Sequence, residues 1–101
     1  MKKRSSVYLV EGRLKAKQLA ASIGKAADLD PEGLLGGDRS YVFSSARQEL
    51  YLALWRLGYS IADVGRILRK HHTSIIHGLR KIMGDEAYEA ESAAREASRR
   101  T

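Results

Sequence analysis

The chain has 101 residues, 44% of them hydrophobic and 30% charged, which suits one small domain with a modest core and argues against wholesale disorder. Lys and Arg outnumber Asp and Glu by 18 to 12, for a net charge of +6 and a pI of about 9.8, and such a balance favours an anionic partner, nucleic acid first. With no cysteine there is no disulfide, thiol nucleophile or cysteine metal site, and no apolar run nears the ~20 residues of a membrane span. The basic opening is followed only by a short apolar patch broken at Glu11, a poor signal peptide, so a cytoplasmic, nucleoid-associated protein is expected.

Residues 1–7 read as a basic arm. From Tyr8 to about Ala27, Leu9, Leu14, Leu19, Ala20 and Ile23 form a loose helical stripe, weakened by Gly12 and Gly24 at ~1 kcal/mol each against alanine. Asp30-Pro31 signals a helix start, and Gly33, Gly36 and Gly37 limit that helix to about one turn. Asp38-Arg39-Ser40 reads as a loop. Ser44 or Ser45 then caps a helix running to about Leu57, with Ala46, Leu50, Ala53, Leu54 and Leu57 on its inner face and Tyr51 and Trp55 broadening it into a core helix. Gly58 ends that helix. Ser60-x-x-Asp63 is a capping-box-like start to a two-turn helix with Ile61, Val64 and Leu68 inward. Arg69-Lys70-His71 makes a turn, and Ile75, Leu79 and Ile82 bury one side of the next helix. After Gly84-Asp85, residues 86–100 form an Ala- and Glu-rich helical tail whose weak apolar content predicts loose packing. The domain organisation is therefore an arm (1–7), a helical body (8–84) and a tail (85–101), an all-α fold with a helix-turn-helix over 60–83.

Chemistry concentrates at that helix-turn-helix. Residues 1–25 carry seven basic side chains against one acidic, and residues 51–83 six against one, while the other stretches are net acidic. No acidic residue lies between Leu68 and Met83. Ser74, His77, Gly78 and Lys81 fall at i, i+3, i+4 and i+7, a stripe opposite Ile75, Leu79 and Ile82. A solvated helix face normally mixes Glu with Lys, whereas a face of hydroxyls, imidazoles and cations suits phosphates and base edges. Thr73 and Ser74 have the chemistry to bond bases or pack a methyl on thymine. His71 and His72 can donate to guanine or phosphate, and Arg69, Lys70, Arg80 and Lys81 can bind phosphate.

The segment 46–82 resembles the C-terminal DNA-binding domain of the bacterial replication initiator DnaA. That family has an Arg-Gln near one helix start, a Ser-Leu-Pro-Glu-Ile-Gly-type helix, and then Gly-Arg-Asp-His-Thr-Thr-Val-x-His-Ala-x-x-Lys-Ile. The counterparts here are Arg47-Gln48, Ser60-Ile-Ala-Asp-Val-Gly65 and Lys70-His-His-Thr-Ser-Ile-Ile-His-Gly-Leu-Arg-Lys-Ile82, over about 37 positions. The resemblance implies base contacts from His72, Thr73 and Ser74, a phosphate contact from Arg47, and an arginine, Arg39, reaching a minor groove. Three departures stand out. The family's signature Asp is His71, the turn is a residue shorter than in many members, and the proline before Arg-Gln is Ala46. Loss of the Asp removes an acceptor that reads cytosine, so the preferred site is expected to differ from the initiator box or to be looser. No Gly-x-x-x-x-Gly-Lys-[Ser/Thr] occurs, so the resemblance implies a stand-alone box-binding module without ATPase activity, regulating replication initiation or transcription.

Other classes fare less well. His72 and His77 sit five apart on a helix with no nearby carboxylate, which argues against a metal, and no nucleophile–base constellation points to an enzyme; no cofactor is implied. Two alternatives to a monomeric reader of double-stranded DNA stay open. One is a helical adaptor that binds the initiator or its regulators through Tyr41, Phe43, Tyr59 and the C-terminal helix. The other is a dimeric regulator of the Trp-repressor type. The target site, the sign of regulation and the host genome are not encoded in any legible motif.

Overall fold

A computed structural model describes residues 6–36 and 41–100, with side-chain surroundings for 7–36 and 43–98. It is all-helical, as expected: α1 (Ser6–Ala27), α2 (Pro31–Leu35), α3 (Tyr41–Arg56), α4 (Ile61–Leu68), α5 (His72–Met83) and α6 (Asp85–Arg100), with no strand among the described residues. None of these helices is long and apolar enough to cross a membrane.

The local punctuation acts as its chemistry dictates. Asp30 caps α2 by accepting from the Glu32 amide at 3.2 Å, with Pro31 in the first turn. Gly58, at φ +107°, ends the α3 segment, and Ser60 Oγ accepts the Asp63 amide at 3.1 Å to start α4. At the end of α4, Arg69 takes the left-handed conformation (φ 57°), its amide bonding Arg66 O and the Lys70 amide bonding Gly65 O. These two bonds form a Schellman closure, adopted at some steric cost because Arg69 has a β-carbon.

The core gathers Leu50, Leu54 and Trp55 of α3, Val64 and Ile67 of α4, and Ile75 and Leu79 of α5 around the small face of α1. Burial of each large side chain is worth roughly 1.5–3 kcal/mol. The α1 face differs from the expected one. Leu14 is 54% exposed, while Gly12, Ala16, Ala20 and Gly24 are buried at spacings of four. A β-carbon at Gly12 would lie 2.5 Å from Ile67 Cδ1, and one at Gly24 would lie 2.6 Å from Leu29 O. The glycines that weaken the helix on propensity therefore let it approach its neighbours closely.

Four further expectations are corrected. α1 begins at Ser6, so Ser6 and Val7 belong to a helix rather than to the arm, while residues 1–5 lie outside the described residues. α3 begins at Tyr41 rather than after Ser44 or Ser45, because Phe43 packs where a β-carbon on Gly33 would otherwise sit, and Arg47 ties the helix to α2. Leu57 is 55% exposed, as it follows the last helical turn. The tail does not pack loosely. Tyr88 is buried and stacks on Trp55 with ring centroids 5.6 Å apart, and the Arg95 guanidinium lies 4.1 Å over the Trp55 ring and donates to Trp55 O.

One polar link joins the first helix to the fourth. Asp63 is buried, accepting from Tyr8 Oη at 3.1 Å and from Arg66 at 3.2 Å. Its carboxylate thus also serves tertiary structure.

Candidate nucleic-acid interface

The helices α4 and α5 are joined by three residues, Arg69, Lys70 and His71. His71 caps α5. Its Nδ1 accepts the Thr73 amide at 3.3 Å and lies 2.7 Å from Thr73 Oγ1. A backbone amide only donates, so Nδ1 is unprotonated in this arrangement, and the neutral ring carries its proton on Nε2. The same logic makes the Thr73 hydroxyl a donor to Nδ1. His71 thus presents an outward N–H, and Thr73 presents its oxygen lone pairs and γ-methyl. The His71 and His72 rings lie side by side, with centroids 4.4 Å apart.

Along α5, His72, Thr73, Ser74, His77 and Lys81 are all exposed, on the side away from buried Ile75 and Leu79. Gly78 does not join them. It is buried against α3, and a β-carbon there would lie 2.5 Å from Tyr51 Cδ2. Between α5 and the first half of α3 runs an open cleft of about 370 Å³, walled by Ser44, Gln48, Lys70, Ser74, His77 and Lys81, with Arg47, Tyr51 and Gly78 also lining it. No carboxylate lines it. Burial pushes the Tyr51 hydroxyl above its ordinary pKa, and the positive charge of Arg47 acts in the opposite direction.

The expected basic residues divide into three groups. Arg69 is exposed, and Lys70 is half-buried with a contact of its own. Arg47 lines the α3–α5 cleft, but most of its guanidinium is turned inward. It is buried, with Nε donating to Leu34 O at 3.1 Å and Nη2 to Gly33 O and Gly36 O, under Phe43. These carbonyls lie at the C-terminal end of α2, where a cation is a natural cap. Arg80 is likewise committed. It bonds Asp85 at 3.3 Å and Glu89, and sits 4.6 Å over the Tyr88 ring. Its hydrogen bonds to Glu89 and then Asp85 raise its pKa further. Arg39, the expected minor-groove residue, lies outside the described residues.

Sequence reasoning missed Gln48 and Ser44 as walls of the cleft. In the sequence Gln48 stands out only as the second member of Arg-Gln, and Ser44 reads as a capping residue. The aromatic surface expected for an adaptor is also reduced. Phe43 packs on α2, and Tyr59 is half-buried with its ring 5.4 Å from that of Tyr8. Among the described residues no group of three His, Asp or Glu is placed to hold a metal.

No protein-family model, curated protein or solved structure matches the chain.

Proposed function

We propose that this chain is a sequence-selective reader of double-stranded DNA that places α5 in the major groove as the second helix of a helix-turn-helix. The observation that carries the reading is the outward face of α5. His72, Thr73, Ser74, His77 and Lys81 are exposed together, at the positive end and along the side of a helix whose other face is fixed in the core. Two turns of α4 brace that helix, and no acidic side chain from Leu68 to Met83 opposes a phosphate. The likeness of 46–82 to the initiator's box-binding domain supports the same reading and suggests replication initiation or transcription as the setting. In it, Thr73 and Ser74 face bases with His71 and His72, and Lys70, Lys81 and Arg69 hold phosphates.

A second reading has one specific observation behind it. Val7, Val10 and Leu14, at i, i+3 and i+7, are exposed by 64%, 51% and 54%, an apolar stripe of the kind protein partners cover. A protein-binding role, on the initiator or on a second copy, would use this stripe of α1, whereas the base-reading face is on α5.

The test is fluorescence anisotropy on a duplex carrying an initiator box and on a scrambled duplex, at two salt concentrations. Both affinities are expected to fall as salt rises; a preference for the box would mark an initiator-type reader, and salt-sensitive binding without preference an altered site, with His71 the first residue to test. Thr73→Ala should cost about 1–3 kcal/mol on the preferred sequence and little on random duplex, while Lys81→Ala should weaken all duplexes alike and lower the salt slope. Absence of salt-sensitive binding to either duplex would remove the reading and leave the protein-binding one.

A further inference from the structure

A second cationic cleft lies on the other side of the same turn. Arg13 and Lys17, one helical turn apart on α1, and Arg69 surround a hollow of about 360 Å³ floored by Ala16, Leu35 and Ile67. No carboxylate lines this hollow, and none of the three cations has an ion pair among the described residues. Arg13 Nε is moreover buried without a hydrogen-bond acceptor. Like charges gathered over an apolar floor repel one another and lose hydration, so the arrangement gains most from an anion laid across it.

The position of Arg69 identifies which anion. Arg69 lines this cleft, whereas the next residue, Lys70, lines the α3–α5 cleft, and the two clefts share no residue. The turn therefore hands consecutive cations to two different sides of the α5 N-terminus. A major groove about 12 Å wide has a phosphate strand on each rim. A helix seated in it with one rim in the α3–α5 cleft meets the other strand beyond its flank.

We infer that Arg13 and Lys17, with Arg69, grip the phosphodiester backbone on the rim opposite the α3–α5 cleft, making α1 part of the DNA-binding surface. The inference rests on the DNA reading above. It also explains why a side chain bearing a β-carbon is kept in the left-handed position at Arg69: glycine would fit the turn better and carry no charge.

The experiment is the salt dependence of duplex binding for wild type, Arg13→Gln/Lys17→Gln, and the charge-matched pair Lys15→Gln/Lys25→Gln. The latter two lysines are exposed on α1 and line neither cleft. The slope of log K against log salt should fall by about 1.8 in the first pair, at ~0.9 per lost phosphate contact, and by less than half of that in the second. Lys17→Gln alone, at an exposed position that does not endanger the fold, should lower it by about 0.9. Arg69→Gly should also lower the slope while leaving the turn intact. Wild-type binding with equal slopes in the two pairs would overturn this inference and leave the DNA reading standing. No salt-dependent binding by wild type would overturn both.

Discussion

At the residue scale the decisive position is His71, where a structural duty and a chemical one share a ring. Nδ1 caps α5 through the Thr73 amide, which leaves the Nε2 proton facing out. An outward N–H is a donor and suits guanine O6 or N7; it has no complement in the amino group of cytosine. Aspartate is also a good N-cap, favoured at the positive end of a helix, but it presents an acceptor instead. His71→Asp should therefore keep or slightly raise stability while moving the base preference towards cytosine at the contacted position. His71→Ala should lose about 1 kcal/mol of stability together with the discrimination. Urea denaturation and a panel of duplexes with single-base changes separate the two effects, and identical base preferences in all three proteins would remove His71 from the reading surface.

At the element scale, what the sequence makes legible is what acts over a few residues. Asp30-Pro31, Gly58 and Ser60 place their helix ends because caps and turns are local, and Tyr51 and Trp55 read as core because large aromatic side chains on an apolar face have few other places to go. Faces are harder where the buried groups are small or polar. The seam of Gly12, Ala16, Ala20 and Gly24 has almost no hydrophobic signal, so periodicity alone places Leu14 inward in its stead. Arg47 and Gly78 look like surface residues until α2 and α3 arrive to bury them. Gly78 gives a sign test of this. On an exposed face, Gly78→Ala would stabilise α5 by about 1 kcal/mol through propensity. Against the buried Tyr51 ring, whose Cδ2 would be 2.5 Å from the new methyl, overpacking costs about 1–3 kcal/mol, so the net change should be destabilising by roughly 0–2 kcal/mol. A rise in Tm would contradict the α3–α5 packing described here.

At the scale of the whole molecule, charge is sorted rather than merely positive. Three acidic groups of α6 pair with arginines: Asp85 and Glu89 with Arg80, and Glu91 with Arg56 and Arg95. They neutralise the C-terminal half of α5 and the end of α3, leaving the N-terminal end of α5 and its two flanking clefts as the cationic pole, an arrangement that orients an approaching polyanion. Tyr51 lies between the core and this pole and ties global stability to alkaline pH. Its folded pKa is raised above the ordinary value of about 10, chiefly by burial. The unfolded chain therefore gives up that proton first as pH rises. The stability associated with the neutral hydroxyl is complete below about pH 10 and is lost as pH climbs through the raised folded value. Lysines and the other tyrosines titrate in the same range, so the informative quantity is the difference between wild type and Tyr51→Phe, which lacks this proton in both states. From pH 8 to 11 the stability of wild type should fall relative to the variant, by ~1.4 kcal/mol for each pH unit separating the folded and unfolded titrations. Parallel curves would mean that the hydroxyl reaches water through the α3–α5 cleft, and that Arg47 offsets the cost of burial.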